Sequence, residues 1–462
     1  MVVVTNGNTA GVLILILTPV GVQLLSGAGL NLTSLVDGVS VTLPLPADRP
    51  TSRRVGSFHQ PKLYGSDTIE VVRSNGTDAM VPANGVTPSP VLDLYVRRNR
   101  DREIAVHLAP TFYQALGPIP RFDYITRFDF DADWLGDNNW HNAANRMLPL
   151  PAYLYYAVSE TQTHFFVVYA VFHPRDYKGG NKRGAILSEV LQYGVKLVGY
   201  FDFFELIQGA VLAHENDLEG VMVVGEKKGP SLRDVRVVRM ETLAHNEFLK
   251  YEFAGLKKVD MGPMRLKGES VELFIEPKGH GIMAYRGGTN QLEAAENGFV
   301  VYRYGGSAEE PESLRRATVS NLREDVGYDL VSLYDTLWAR AQDGENETFG
   351  DEHDFTMFSV RMLLPSGDDV GIEARPGRVG ASLRGEIGGR NMARSPWSWF
   401  DRRERERALG EWFFDPAETI SRHFNPDEPF SLVYIHHPYI GIFGPSTPDA
   451  FWEDSRMPGV PD

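Results

Sequence analysis

The sequence predicts a mainly β protein: an antiparallel β-sandwich core with an inserted helical segment and β-rich N- and C-terminal extensions. Three observations predict it. Short runs rich in β-branched and aromatic residues recur along the chain, among them AYLYYAV from Ala152, HFFVVYAVF from His164, VRVVRM from Val235 and GFVVYRY from Gly298. Clusters of Pro, Gly, Asn and Asp punctuate these runs, as turns between strands require. No apolar helical period of convincing length precedes Arg183.

A chain of 462 residues has room for two or three domains. The boundaries read as an N-terminal β-rich domain over 1–118, a metal-binding sandwich core over 119–305 with an insertion at 183–209, and a mixed C-terminal extension over 306–462. Forty-two per cent hydrophobic and 23% charged residues are ordinary for a folded protein. The net charge of −15 argues against nucleic-acid binding, because phosphate contacts need a basic surface. The absence of cysteine excludes disulfides, thiolate metal sites and a cysteine nucleophile. It fits a reducing cytoplasm and an exported bacterial protein equally, so localisation stays open.

Taken in order, the apolar run from Gly11 to Leu25 has no preceding Lys or Arg and is interrupted by Thr18, Pro19 and Gln23. It lacks the start of a signal peptide and the length of a bilayer span, and reads as a β-hairpin turning at 18–21. VSVTLPL, TIEVV, VLDLYV and EIAVHL, between Asp37 and Pro118, read as further strands. In RFDFDADWLGDNNW, an extended strand would align Asp129, Asp131 and Asp133 on one face. Trp134 stands where a calcium loop needs glycine, so a solvated strand face is the better reading. Residues 183–209 carry Ile186, Val190, Leu191 and Tyr193 at helical spacing, weakened by Gly194 and Gly199.

Beyond Gly305, SAEEPESLRR and RAQDGENETFGDEHD read as exposed acidic linkers, and FTMFSVRMLL as a strand. GRVGASLRGEIGGR is glycine-rich without phosphate-loop spacing, and DRRERERALGEWF reads as a solvated helix face. His436 and His437, adjacent on a closing strand, face opposite ways and read as structural.

The chemistry concentrates in His214-Glu215-Asn216-Asp217-Leu218-Glu219-Gly220. His214, with Asp217 three and Glu219 five residues further on, offers one imidazole and two carboxylates that suit a divalent cation. They converge if His214 and Asp217 lie on a turn and Glu219 begins the strand GVMVV, because on one regular strand His214 and Asp217 face opposite sides. A capped turn, with Asp217 on backbone donors and Glu219 on a surface arginine, is the alternative. In Pro277-Lys278-Gly279-His280-Gly281, glycines on both sides let the backbone bring His280 close to a bound group.

The H-x-x-D-x-E form of HENDLE, after a strand ending in Pro174-Arg175-Asp176, resembles the metal site of the necrosis-inducing cytolysins and the related vacuolar-sorting-type β-sandwich proteins. The likeness spans residues 152–304. It implies that Asp176, His214, Asp217 and Glu219 surround one divalent cation with His280 nearby. Leu218 stands where the family has tryptophan, Asn216 replaces its second histidine, and a long insertion separates Asp176 from His214. Three carboxylates and one imidazole favour Ca2+, Mg2+ or Mn2+ over zinc.

Two functions follow as expectations. The first is toxin-like capture of a sugar, lipid head group or other small molecule at an open position on the cation. No transmembrane segment is expected, and peripheral contact with a membrane is compatible with this function. The second is metal-dependent hydrolysis of a phosphoester or carboxylester, with Glu215 as general base and His280 or His173 as proton donor. A third reading leaves the ion to pin a loop. Nucleophile-elbow, zincin and dinucleotide-binding motifs are absent.

Overall fold

The structure, a computed structural model, describes residues 100–176, 213–229, 231–253, 263–287, 291–292, 295, 297–311, 325–363, 367–387 and 393–439, with five short strands between residues 2 and 43. The chain divides into two compact units, residues 1–99 with 448–460 and 462, and residues 100–447 with 461.

In the first unit, β1 (Val2–Val4), β2 (Leu13–Thr18) and β3 (Gly21–Leu25) form one sheet, and β4 (Leu32–Val36) pairs with β5 (Val39–Leu43). Thr18 stands opposite Gly21, so the first apolar run folds back on itself as the expected hairpin. TIEVV, VLDLYV and the insertion at 183–209 lie outside the described residues.

The second unit is built on a 14-stranded sheet. Its strands, with two that pair separately, are β6 (Thr111–Ala115), β7 (Tyr153–Thr161), β8 (His164–Asp176), β9 (His214–Lys227), β10 (Val235–Leu243), β11 (Phe248–Glu252), β12 (Leu266–Lys267), β13 (Ser270–Ile275), β14 (Ile282–Ala284), β15 (Phe299–Tyr304), β16 (Asp325–Ser332), β17 (Phe349–Phe355), β18 (Phe358–Leu363), β19 (Asp369–Ala374), β20 (Gly377–Leu383) and β21 (Val433–His436). The main order is β11-β10-β9-β8-β7-β16-β15-β6-β13-β12. β14 lies on β13, β21 joins β7 to β18, β19 extends β18, and β17 pairs with β20 alone.

The expected fold was an antiparallel sandwich, and the sheet found is mixed. β6–β13, β7–β16, β15–β16 and β18–β21 all run parallel. Alternating sequence specifies that a strand exists, but not which strand lies beside it. Parallel neighbours need a connection of a dozen or more residues, and β15 ends at Tyr304 while β16 begins at Asp325. β8 sits inside the sheet and is buried along its whole length. Its unbroken apolar run fits a strand covered on both faces.

Four local expectations change. EIAVHL is helical up to its last residue, lying in α1 (residues 100–107), where Asp101, Ile104 and Ala105, with Leu108 in the turn just after it, are buried at the helical interval. The DxDxD stretch is a series of turns in which the carboxylates are partnered separately. Arg127 Nε lies 2.5 Å from Asp129, Asn142 Nδ2 is 2.6 Å from Asp131, and Leu135 N is 2.8 Å from Asp133. The acidic segment at 340–354 contributes β17, and DRRERERALGEWF ends on the short helix Glu411–Phe414, which buries its Trp412 and Phe413 together with the following Phe414. Among the described residues, no helix is long and apolar enough to cross a membrane.

Candidate metal centre

β8 and β9 pair from His164 opposite Glu226 to Asp176 opposite His214. The HENDLEG cluster is therefore the first half of a strand and not a turn before one. The register sets His173 against Asp217, Arg175 against Glu215 and Val171 against Glu219. The strand is not regular, because Asn216 has a left-handed backbone with φ of 56°. Asparagine tolerates that region better than most residues. Its side chain is held from both ends: Nδ2 donates to the carbonyls of Gly136 and Arg384 at 2.6 Å, and Oδ1 accepts from Asn139 at 2.8 Å. Gly220 ends the cluster because the ring of Trp399 lies 2.3 Å from where a Cβ would stand.

His173, Asp217 and His280 are buried, and each offers a donor atom within 4.8 Å of the others. His280 follows β13 on a backbone with φ of 50°. Its Nδ1 lies 2.8 Å from Asp217 Oδ2 and its Nε2 lies 3.2 Å from Asp123 Oδ1. Asp123 ends the 3-10 turn Pro120–Asp123 and also accepts from the backbone N–H of Gly117 at 2.7 Å and of Lys278 at 2.8 Å. The His173 ring stacks on His280, with centroids 3.7 Å apart and planes 7° apart. His173 Nε2 is 3.1 Å from Gln114 Oε1, while its buried Nδ1 has no hydrogen-bond partner among the described residues.

Of the four ligands expected from sequence, Asp217 belongs to this trio. Asp176 and His214 pair with each other, Oδ2 to Nε2, at 3.4 Å, and His214 Nδ1 is 2.9 Å from the Asn216 carbonyl. Glu219 is buried farther along β9 and is not one of the three clustered donors.

Burial opposes charge on His280, but its bonds to Asp123 and Asp217 push it up to about 9. Burial opposes charge on His214 too, and Asp176, with Asp217 beyond it, pushes it up to about 8. Burial, then the charge of His280, holds His173 well below the usual histidine value, so its ring is neutral. Burial alone would raise Asp217. The bond and charge of His280, with the charge of His214, hold it well below the usual carboxylate range.

Glu215, the expected general base, is a clamp. Its oxygens accept from the backbone N–H of Trp140 at 2.6 Å, of Glu386 at 2.8 Å and of Ile387 at 3.4 Å. Beside it the Arg175 guanidinium lies between the rings of Phe122 and Trp140, at 3.8 and 4.3 Å, and donates from Nε to the Trp140 carbonyl at 2.6 Å. Together they bind α2 (Asn139–Ala144) and the 384–387 segment to the strand pair. Asp123 and Gln114 carry no spacing that marks them in the sequence. His173 stood out there only as an alternative proton donor.

No protein-family model matches the sequence, and no curated protein matches it. Solved structures similar to it include NLPPya in complex with glucosamine, at 13% identity over 43% of this chain and 71% of that one, with a TM-score of 0.23. Another is the non-toxic HaNLP3 protein, at 12% identity over 56% and 85%, with a TM-score of 0.26. A third is Necrosis and Ethylene inducing Protein 2 from the causal agent of cocoa's Witches Broom disease, at 14% identity over 40% and 68%, with a TM-score of 0.21. With scores this low, the reading of the site rests on its side chains.

Proposed function

We propose that the protein holds a divalent cation at Asp217, between His173 and His280, and uses it to take hold of hydroxyl groups on a sugar or lipid head group. One observation carries this reading: among the described residues, Nδ1 of His173 is buried without a hydrogen-bond partner inside a cluster that includes a carboxylate. Leaving such an atom unsatisfied costs about 1–3 kcal/mol, which a bound ion would offset.

Two imidazoles and one carboxylate form a nitrogen-rich set. It suits Mn2+ or Zn2+ better than Ca2+, which prefers six to eight oxygens. The carboxylate-rich set expected from sequence shares Mn2+ with this one. His173, Asp217 and His280 would hold the ion together, and for both imidazoles to offer it a nitrogen their parallel stack would have to open. His280 must also give up a proton to serve as a donor. Three protein ligands leave positions open for hydroxyl oxygens.

The test is metal content of the purified wild type and of Asp217→Asn, followed by retention on immobilised glucosamine and on lipid vesicles with and without chelator. Bound metal near one per chain in the wild type alone, with retention lost in chelator, is the expected result. A wild type that takes up neither Mn2+ nor Zn2+ would end the proposal, and retention indifferent to chelator would remove the head-group half of it.

A second reading has its own observation. His280, between Asp123 and Asp217 and pushed up to about 9, is itself a cation neutralising both carboxylates. A metal-free protein whose melting temperature ignores added Mn2+ and Zn2+ is what that reading predicts. The hydrolytic reading has less support, since three backbone N–H groups engage the carboxylate of Glu215.

A further inference from the structure

We infer that Gln114 is a positioning residue: by accepting from Nε2 it fixes the proton of the His173 ring there and so leaves Nδ1 as the lone-pair donor of the cluster. The metal consequence rests on the cation reading above, and the assignment of the proton does not.

Gln114 lies on β6 and is fully buried. Its amide nitrogen donates to the carbonyls of Ala115 at 3.1 Å and Glu276 at 3.4 Å. Both N–H bonds are thereby used, and flipping the amide would set its oxygen against two carbonyl oxygens. The atom facing His173 Nε2 at 3.1 Å is therefore the amide oxygen, which only accepts. Nε2 must donate to it. A proton on Nδ1 would be buried with no acceptor, since that atom has no partner among the described residues.

The bond also reaches across the fold. β6 is separated from β8 in the sheet order by β15, β16 and β7, so the contact spans the interior and does not run between neighbouring strands. Glu276, whose carbonyl Gln114 holds, donates its own N–H to the Gly281 carbonyl at 3.1 Å. One amide thus ties the His173 ring to the loop that carries His280. Partners of this kind, behind a ligating histidine, set its tautomer and its basicity.

The test uses the full chain with isotope-labelled histidine and long-range proton–nitrogen correlation spectra, with the His173 signals assigned by His173→Gln. The wild type should show the Nε2–H form at neutral pH. Gln114→Glu, which keeps an accepting oxygen, should retain it, and Gln114→Met should give a mixture of tautomers. In Zn2+ titrations, Gln114→Met should lose tenfold or more in affinity, and Gln114→Glu should recover to within a few-fold of wild type. A wild-type proton on Nδ1, or a Gln114→Met spectrum identical to wild type, would overturn the inference. If Gln114→Met does not fold, the wild-type and Gln114→Glu spectra decide. A wild type with the Nε2–H form that binds no Zn2+ would leave the role of Gln114 standing and remove the cation reading.

Discussion

Nδ1 of His280 lies 2.8 Å from Oδ2 of Asp217, and both groups are buried. Two remote stretches meet in this contact, the strand that follows the insertion and the loop that follows β13. Breaking a buried ion pair from one side costs about 3–5 kcal/mol, because the remaining charge is left uncompensated. Asp123 still faces the other side of the ring at 3.2 Å, so Asp217→Asn should fall at the low end, near 3 kcal/mol in urea unfolding. That figure is for the metal-free protein; under the proposed cation reading, the same variant should also fail to take up the ion. A loss well under 1 kcal/mol would mean that the pair is not charged in the fold.

Glu215→Gln separates anchor from base. The substitution turns an amide toward backbone N–H groups that now donate to a carboxylate, and an unmet buried donor costs about 1–3 kcal/mol. Stability should drop by that amount while metal content stays at the wild-type level. Loss of metal with unchanged stability would restore Glu215 to the chemistry.

Much of this was legible in the sequence, and the limits have physical causes. Apolar runs located β7, β8, β10, β15, β18 and β21, since each buries side chains that water would otherwise face. The neighbours of each strand were not legible, because parallel pairing at β7–β16 and β6–β13 is decided by long connections. EIAVHL misled because a short apolar run fits both periods, and the burial of Asp101, Ile104, Ala105 and Leu108 settles it. At the site, Asp217 and the approach of His280 were visible in local spacing. Asp123 and Gln114 reach the cluster only through tertiary contacts, which leave no mark on spacing.

The kink at Asn216 yields a comparison between two variants. Asn216→Gly and Asn216→Ala remove the same three side-chain hydrogen bonds to Gly136, Arg384 and Asn139. Only alanine also has to hold a Cβ at φ of 56°. The left-handed region costs a non-glycine residue about 1–2 kcal/mol, part of which the greater chain entropy of unfolded glycine offsets. Alanine should therefore be the less stable variant by about 1 kcal/mol in urea unfolding. Equal stabilities would show that the strand straightens once its tethers are gone.

Acid sensitivity should come from two neutral histidines away from the His173, Asp217 and His280 cluster. Burial, then the charge of Arg239, takes His164 down to about 3, and burial with the charge of His436 takes His437 down to about 3. In the unfolded chain both titrate near 6.5, so between about pH 6.5 and 3 the unfolded state binds more protons and stability is lost as pH falls. Asp415 acts in the opposite sense. Burial raises it to about 6, so its contribution is lost as pH rises from about 4 to 6. The two histidine shifts together outweigh that single carboxyl, and the net effect is destabilisation in acid. His437→Gln isolates one histidine, because its amide can still donate to the Phe414 carbonyl that Nε2 now reaches at 2.9 Å and does not titrate. Unfolding measured at several pH values between about 4 and 6 should show the slope of stability against pH reduced by up to about 1.4 kcal/mol per unit, one proton's worth. A slope equal to wild type would mean that His437 gains its proton without leaving the fold.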